Sequence, residues 1–101
     1  MRLDIRGRHL RLTAALQDHV TRRLRFALGR FDGRLRGIAV RLADVNGPRG
    51  GVDKRCEVHV DVAGRRITIE ELDEDLYAAI DRAAERAGRA TERALARQRA
   101  A

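Results

Sequence analysis

Residues 55–62 read Arg-Cys-Glu-Val-His-Val-Asp-Val, and this stretch decides the fold. Cys56, Val58, Val60 and Val62 alternate with Arg55, Glu57, His59 and Asp61, the period of a strand with one apolar and one polar face. Ala63-Gly64-Arg65 is a tight hairpin connection into a second strand, Arg66 to Glu71, where Ile67 and Ile69 point inward. Upstream, Arg36 to Val45 alternates in the same way, with Ile38, Val40 and Leu42 on one side. The intervening Asn46-Gly47-Pro48-Arg49-Gly50-Gly51 has the chemistry of a loop. At the start of the chain, Arg2 to Arg6 sets Leu3 and Ile5 on one face. Every strand shows a single apolar face, so the sheet is covered on one side and wet on the other.

Two amphipathic helices are predicted to supply the cover. Thr13 is placed as the N-cap of a helix running to about Leu28, with Gly29 or Gly33 at its end. Leu16, Val20, Leu24, Ala27 and Leu28 form its apolar stripe. Asp73 is expected to cap a long final helix whose apolar positions are Leu76, Tyr77, Ile80, Ala84, Ala87, Ala94 and Leu95. The order is β-α-β-β-β-α, and the first strand must run parallel to a later one because a helix intervenes. The expected fold is α+β: a two-layer sandwich, a four-stranded mixed sheet with both helices on one face. With 101 residues the chain is read as one domain, 1–101.

Charge points to a partner. Twenty-two basic residues stand against 15 acids, a formal charge of +7, and Lys54 is the only lysine. On the last helix, Arg82, Arg86, Arg89, Arg93 and Arg97 fall within an arc of roughly 80°. Guanidinium binds phosphate bidentately and stays charged at cellular pH, so the stripe suits a polyanion. A competing reading is a general arginine bias, with Glu85 pairing along the helix to Arg82 and Arg89.

Nothing assembles a catalytic centre. Gly47 to Gly51 with Lys54 lacks the Gly-Lys-Ser/Thr ending of a phosphate loop, and a strand follows it. His9, His19 and His59 have no metal spacing and read as surface residues. Cys56 faces inward as a small hydrophobe, and a lone cysteine fits a reducing compartment. Glu70, Glu71, Asp73, Glu74 and Asp75 favour the start of the final helix. The expectation is a non-enzyme with no metal, cofactor or small-molecule substrate. No segment has the length of a membrane span or the core of a signal peptide. Phe26, Phe31 and Tyr77 are the only rings and none is on a strand. The wet sheet face mixes Arg41, Arg55 and Arg66 with Asp4, Glu57, Asp61 and Glu70. Nucleic acid would therefore be met by helices and loops, through phosphates and shape.

The element order, the opening Leu3-Asp4-Ile5-Arg6-Gly7 and the run Asp75-Leu76-Tyr77-Ala78-Ala79-Ile80-Asp81 resemble the ribosome hibernation-promoting factors. That family includes the subunit interface protein and the so-called sigma-54 modulation proteins. The resemblance spans Arg2 to about Arg97. It implies a cytoplasmic stress or stationary-phase factor that occupies the messenger and transfer RNA channel of the small ribosomal subunit, against the decoding region of 16S rRNA. Family basic positions match Arg23, Arg86, Arg89 and Arg93; Arg22, Arg82 and Arg97 are added to the expected RNA-binding set. Tyr77 and Ile80 match core positions. Ala83, Ala84, Ala87 and Thr91 stand where the family often has larger side chains, and Gly88 lies within the helix, so weak packing and fraying are expected there. Longer members continue into a second domain that pairs ribosomes; this chain is expected to be a monomer off the ribosome and not to pair ribosomes alone. The alternatives are a double-stranded-RNA-binding type of module and a regulator that binds another protein.

Overall fold

The computed structural model describes residues 2–45 and 51–100, so most of the loop read at 46–51 lies outside the described residues. Strand β1 is Leu3–Arg8 and helix α1 is Ala14–Leu28, followed by a 3-10 segment, Gly29–Arg34. Strands β2 (Leu35–Asp44), β3 (Lys54–Val62) and β4 (Arg65–Asp73) come next, and helix α2 (Leu76–Ala100) closes the chain. The strands lie in the order β1-β2-β3-β4. β1 runs parallel to β2, with Leu3 opposite Ile38 and Ile5 opposite Val40. The other two pairings are antiparallel. β1 and β4 are thus the edge strands, and the fold is the expected α+β sandwich.

The period-two pattern sets the register. Val40 lies opposite Val58, and Val58 opposite Ile69, so three strands send apolar side chains to one face. A two-residue turn at Ala63 and Gly64 joins β3 to β4, with φ of 54° and 75°. Positive φ at both positions matches the right-handed twist of the flanking strands.

Leu16, Val20, Leu24 and Leu28 of α1 pack into the same core as the inner sheet face and α2. Thr13 caps α1 as expected: its Oγ1 accepts from the Leu16 N–H at 3.2 Å. The cap of α2 is Asp75 rather than Asp73. Asp75 accepts from the Tyr77 N–H (3.0 Å) through its side chain and from the Ala79 N–H (3.1 Å) through its carbonyl. Asp73 still belongs to β4 and accepts from the Asp75 N–H at 2.8 Å. Two acids two residues apart offer the same capping chemistry, and the sheet claims the first.

The small residues of α2 do not loosen it. Ala79, Ala83, Ala84, Ala87, Gly88, Thr91 and Ala94 are buried, and the helix continues to Ala100. A Cβ added to Gly88 would lie 3.0 Å from the carbonyl oxygen of Ala27. The small side chains therefore bring α2 close to α1 and β3, recovering by proximity the contact that larger groups would supply by reach. Ile80 is buried as expected, but Tyr77 is 39% exposed. Its ring meets His19 edge-on, with centroids 4.8 Å apart, and is not a core anchor.

Candidate nucleic-acid interface

The five arginines on α2 share one side of the helix but not one environment. Arg82 is strapped to β4. Its Nε donates to Glu71 (2.9 Å), Nη1 to Asp73 (2.8 Å) and Nη2 to the Leu72 carbonyl (2.9 Å). Arg86 donates to the Glu70 carbonyl at 3.0 Å and pairs with Glu71. Glu71 and Asp73 continue the inward parity of Ile67 and Ile69, but past the apolar core, so their carboxylates meet α2. Their role is cross-element pairing, not only favouring the helix start.

The hydrogen bond from Arg82, helped by Arg86, holds the Glu71 carboxyl below its usual value of 4.5. Asp73 is held low chiefly by the Asp75 N–H and then by Arg82. Carboxyls depressed in the folded state stabilise it above their unfolded values, and that contribution vanishes as pH falls through the folded ones. Acid should therefore release the end of β4 from α2. Denaturant midpoints measured from pH 7 to 3 should fall less steeply below about pH 5 for Glu71→Gln than for the parent; identical acid limbs would deny the pair this role.

Arg23 is engaged as well. It lies between Asp81 (3.1 Å) and Glu85 (3.5 Å), and Asp81 also bonds His19 at 2.7 Å. Glu85 therefore pairs across to α1, not along α2 with Arg82 or Arg89. Arg30 reaches Glu92 at 3.2 Å, and Arg34 bonds Gln98 at 3.4 Å. A ladder of polar contacts thus joins α2 to α1 and to the 3-10 segment that follows it, formed between residues 58 to 64 positions apart in sequence.

Of the expected RNA-binding set, Arg23, Arg82 and Arg86 have acidic partners. Among the described residues, none pairs with Arg22, Arg89, Arg93 or Arg97, and all four are exposed. Arg89 overlooks a groove between the helices that also holds Phe26, Ala27, Arg30, Glu85, Gly88 and Glu92. Arg97 shares a second hollow with Arg65, at the β3–β4 turn. Arg65, Arg30 and the exposed Phe26 belong to this surface and escape a reading based on one helix. The only available signal is their position by a turn, in the 3-10 segment or on the solvent side of α1.

The wet sheet face carries both signs of charge, but they are sorted. Arg6, Arg8, Arg41 and Arg55 line one hollow with Gly7, Ala43 and a single acid, Glu57. Arg66 pairs with Asp61 at 3.4 Å. His59 is not a surface group: it lies between Glu57 (3.1 Å) and Thr68 (3.2 Å), mostly covered. His19 is likewise covered by its contacts with Asp81 and Tyr77, whereas His9 sits exposed on a bend. Burial pushes the Cys56 thiol up to about 12, leaving negligible thiolate at neutral pH. Among the described residues, no trio of His, Cys, Asp or Glu is arranged to hold a metal ion, and no helix is long and apolar enough to cross a membrane.

The family described as sigma 54 modulation protein / S30EA ribosomal protein matches residues 3–99. Among solved structures, the N-terminal domain of Protein Y from Thermus thermophilus is 35% identical, with a TM-score of 0.78. The match covers 92% of this chain and 98% of that one. A ribosomal subunit interface protein from Coxiella burnetii shares the fold at a TM-score of 0.79 and 15% identity, covering 95% of this chain and 99% of the other. No curated protein matches the chain by sequence.

Proposed function

This chain belongs to the sigma 54 modulation protein / S30EA ribosomal protein family of ribosome-associated proteins, and we propose that it binds the small ribosomal subunit in the messenger and transfer RNA channel, against the decoding region of 16S rRNA. There it blocks translation reversibly, as a cytoplasmic factor of stress or stationary phase, monomeric off the ribosome and acting by occupancy rather than catalysis. The observation that carries this reading is the exposed set Arg22, Arg89, Arg93 and Arg97, which has no acid to neutralise it within the described fold. Unpaired guanidinium groups attract phosphate and release its counterions on contact. Arg23, Arg82 and Arg86 fasten α2 to its neighbours through their acidic partners.

The test is competition. Added to a reconstituted translation system, the protein should stop initiation, and excess messenger with initiator transfer RNA should restore it. Inhibition that no amount of either relieves would place the block elsewhere. A duplex-RNA module would instead bind any long RNA helix as well as it binds small subunits.

A further inference from the structure

Phe26 is 87% exposed, far more than any other large apolar residue described except Val52 at 59%. It lies on α1 two residues beyond the buried Leu24, on the side away from the core. Its ring has no aromatic or cationic partner among the described residues; Arg30, one turn later, sits over Phe31 instead, 4.6 Å from that ring's centre. Folding does not explain an unpartnered ring held in water.

Its surroundings do offer an explanation. Phe26 forms one wall of the groove between the helices, and Arg89 stands on the opposite helix. The floor is Ala27 and Gly88, where the close approach of the two helices leaves no side-chain bulk. The groove's two acids are already engaged, Glu85 with Arg23 and Glu92 with Arg30, so Arg89 supplies its uncompensated charge. A flat apolar face beside a free guanidinium matches a nucleotide: the ring stacks on the base and the cation meets its phosphate. The base must be unpaired, because bases within an A-form helix are closed to such a ring.

We infer that Phe26 is a stacking platform for an unpaired nucleobase of ribosomal RNA, with Arg89 holding the adjoining phosphate. This deepens the ribosome-binding reading above and rests on it. The groove then does more than attract charge, since it fixes where along the RNA the domain settles.

The test uses the parent, Phe26→Ala, Phe26→Leu and Phe26→Trp on isolated small subunits. Phe26→Ala should bind about 5- to 150-fold more weakly, the usual range for losing one stacked base, with its melting temperature unchanged. Phe26→Leu, apolar but without a ring face, should be weakened similarly. Phe26→Trp should keep its affinity, and because the chain has no other tryptophan, its indole emission should be quenched on binding. Parent-like affinity of Phe26→Ala overturns the inference while leaving ribosome binding intact. Parent-like affinity of Phe26→Leu, or an unquenched indole in a bound complex, marks a protein contact and overturns it too. So does a free protein whose self-association depends on Phe26 while its subunit affinity does not. A parent that fails to bind small subunits overturns both readings together.

Discussion

Replacing Arg89, Arg93 and Arg97 together by alanine should leave the protein as stable as the parent and remove most of its affinity for small subunits. The three are exposed and, among the described residues, bonded to nothing, so folding does not depend on them. Each phosphate neutralised contributes roughly 0.7 to 0.9 to the slope of log affinity against log salt. The triple variant should therefore flatten that slope by about 2 to 3 and bind one to two orders of magnitude more weakly at moderate salt. Arg82→Ala with Arg86→Ala is the contrasting pair. It breaks the strap to Glu71 and Asp73 and should lower stability first. A triple variant with the parent's salt slope would show that this side of α2 is only solvated surface.

The second large effect concerns two neighbours on α1. Leu24 is 1% exposed and packed in the core. Truncation to alanine removes its transfer energy and leaves a cavity, costing about 2–5 kcal/mol. Against a total stability of roughly 5–15 kcal/mol, that is a large share. The melting temperature should fall by on the order of 10–30 °C. Phe26→Ala, two positions along the same helix, should not shift it measurably. Chemically similar residues with opposite outcomes would confirm which way α1 faces. Equal losses would mean the helix is rotated from the orientation described.

Most of the fold is legible in the sequence because it is written in short-range periods. Cys56 to Val62 alternates without interruption, Ala63-Gly64 has the chemistry of its turn, and Thr13 stands one residue before its helix. The interface is harder to read. Helical spacing correctly gathers Arg82, Arg86, Arg89, Arg93 and Arg97 on one side of α2, but it cannot show that β4 brings Glu71 and Asp73 to the first two. Nor can it show that Arg23 closes on Asp81 and Glu85. These pairings are tertiary, and in a chain with so many arginines each acid has several plausible partners. Gly88 is the sharpest case. Propensity alone counts it as a loss of roughly 1 kcal/mol, whereas the fold uses its missing side chain as room for the Ala27 carbonyl. Tyr77 shows the converse, an apolar position by spacing that the turn onto α2 leaves half in water.

The strap on β4 has another consequence. An outermost strand presents a row of backbone groups to which a strand from another molecule can add, the first step of edge-to-edge growth. Arg82 and Arg86 donate to the carbonyls of Leu72 and Glu70 on this strand, occupying acceptors that an incoming strand would need. On the far side of the sheet, β1 is only six residues long and carries Asp4, Arg6 and Arg8, so an identical strand laid beside it in register would meet its own charges. The guanidinium groups that fasten α2 to the sheet therefore also occupy part of its open edge, two acceptors that templated strand addition along β4 would need.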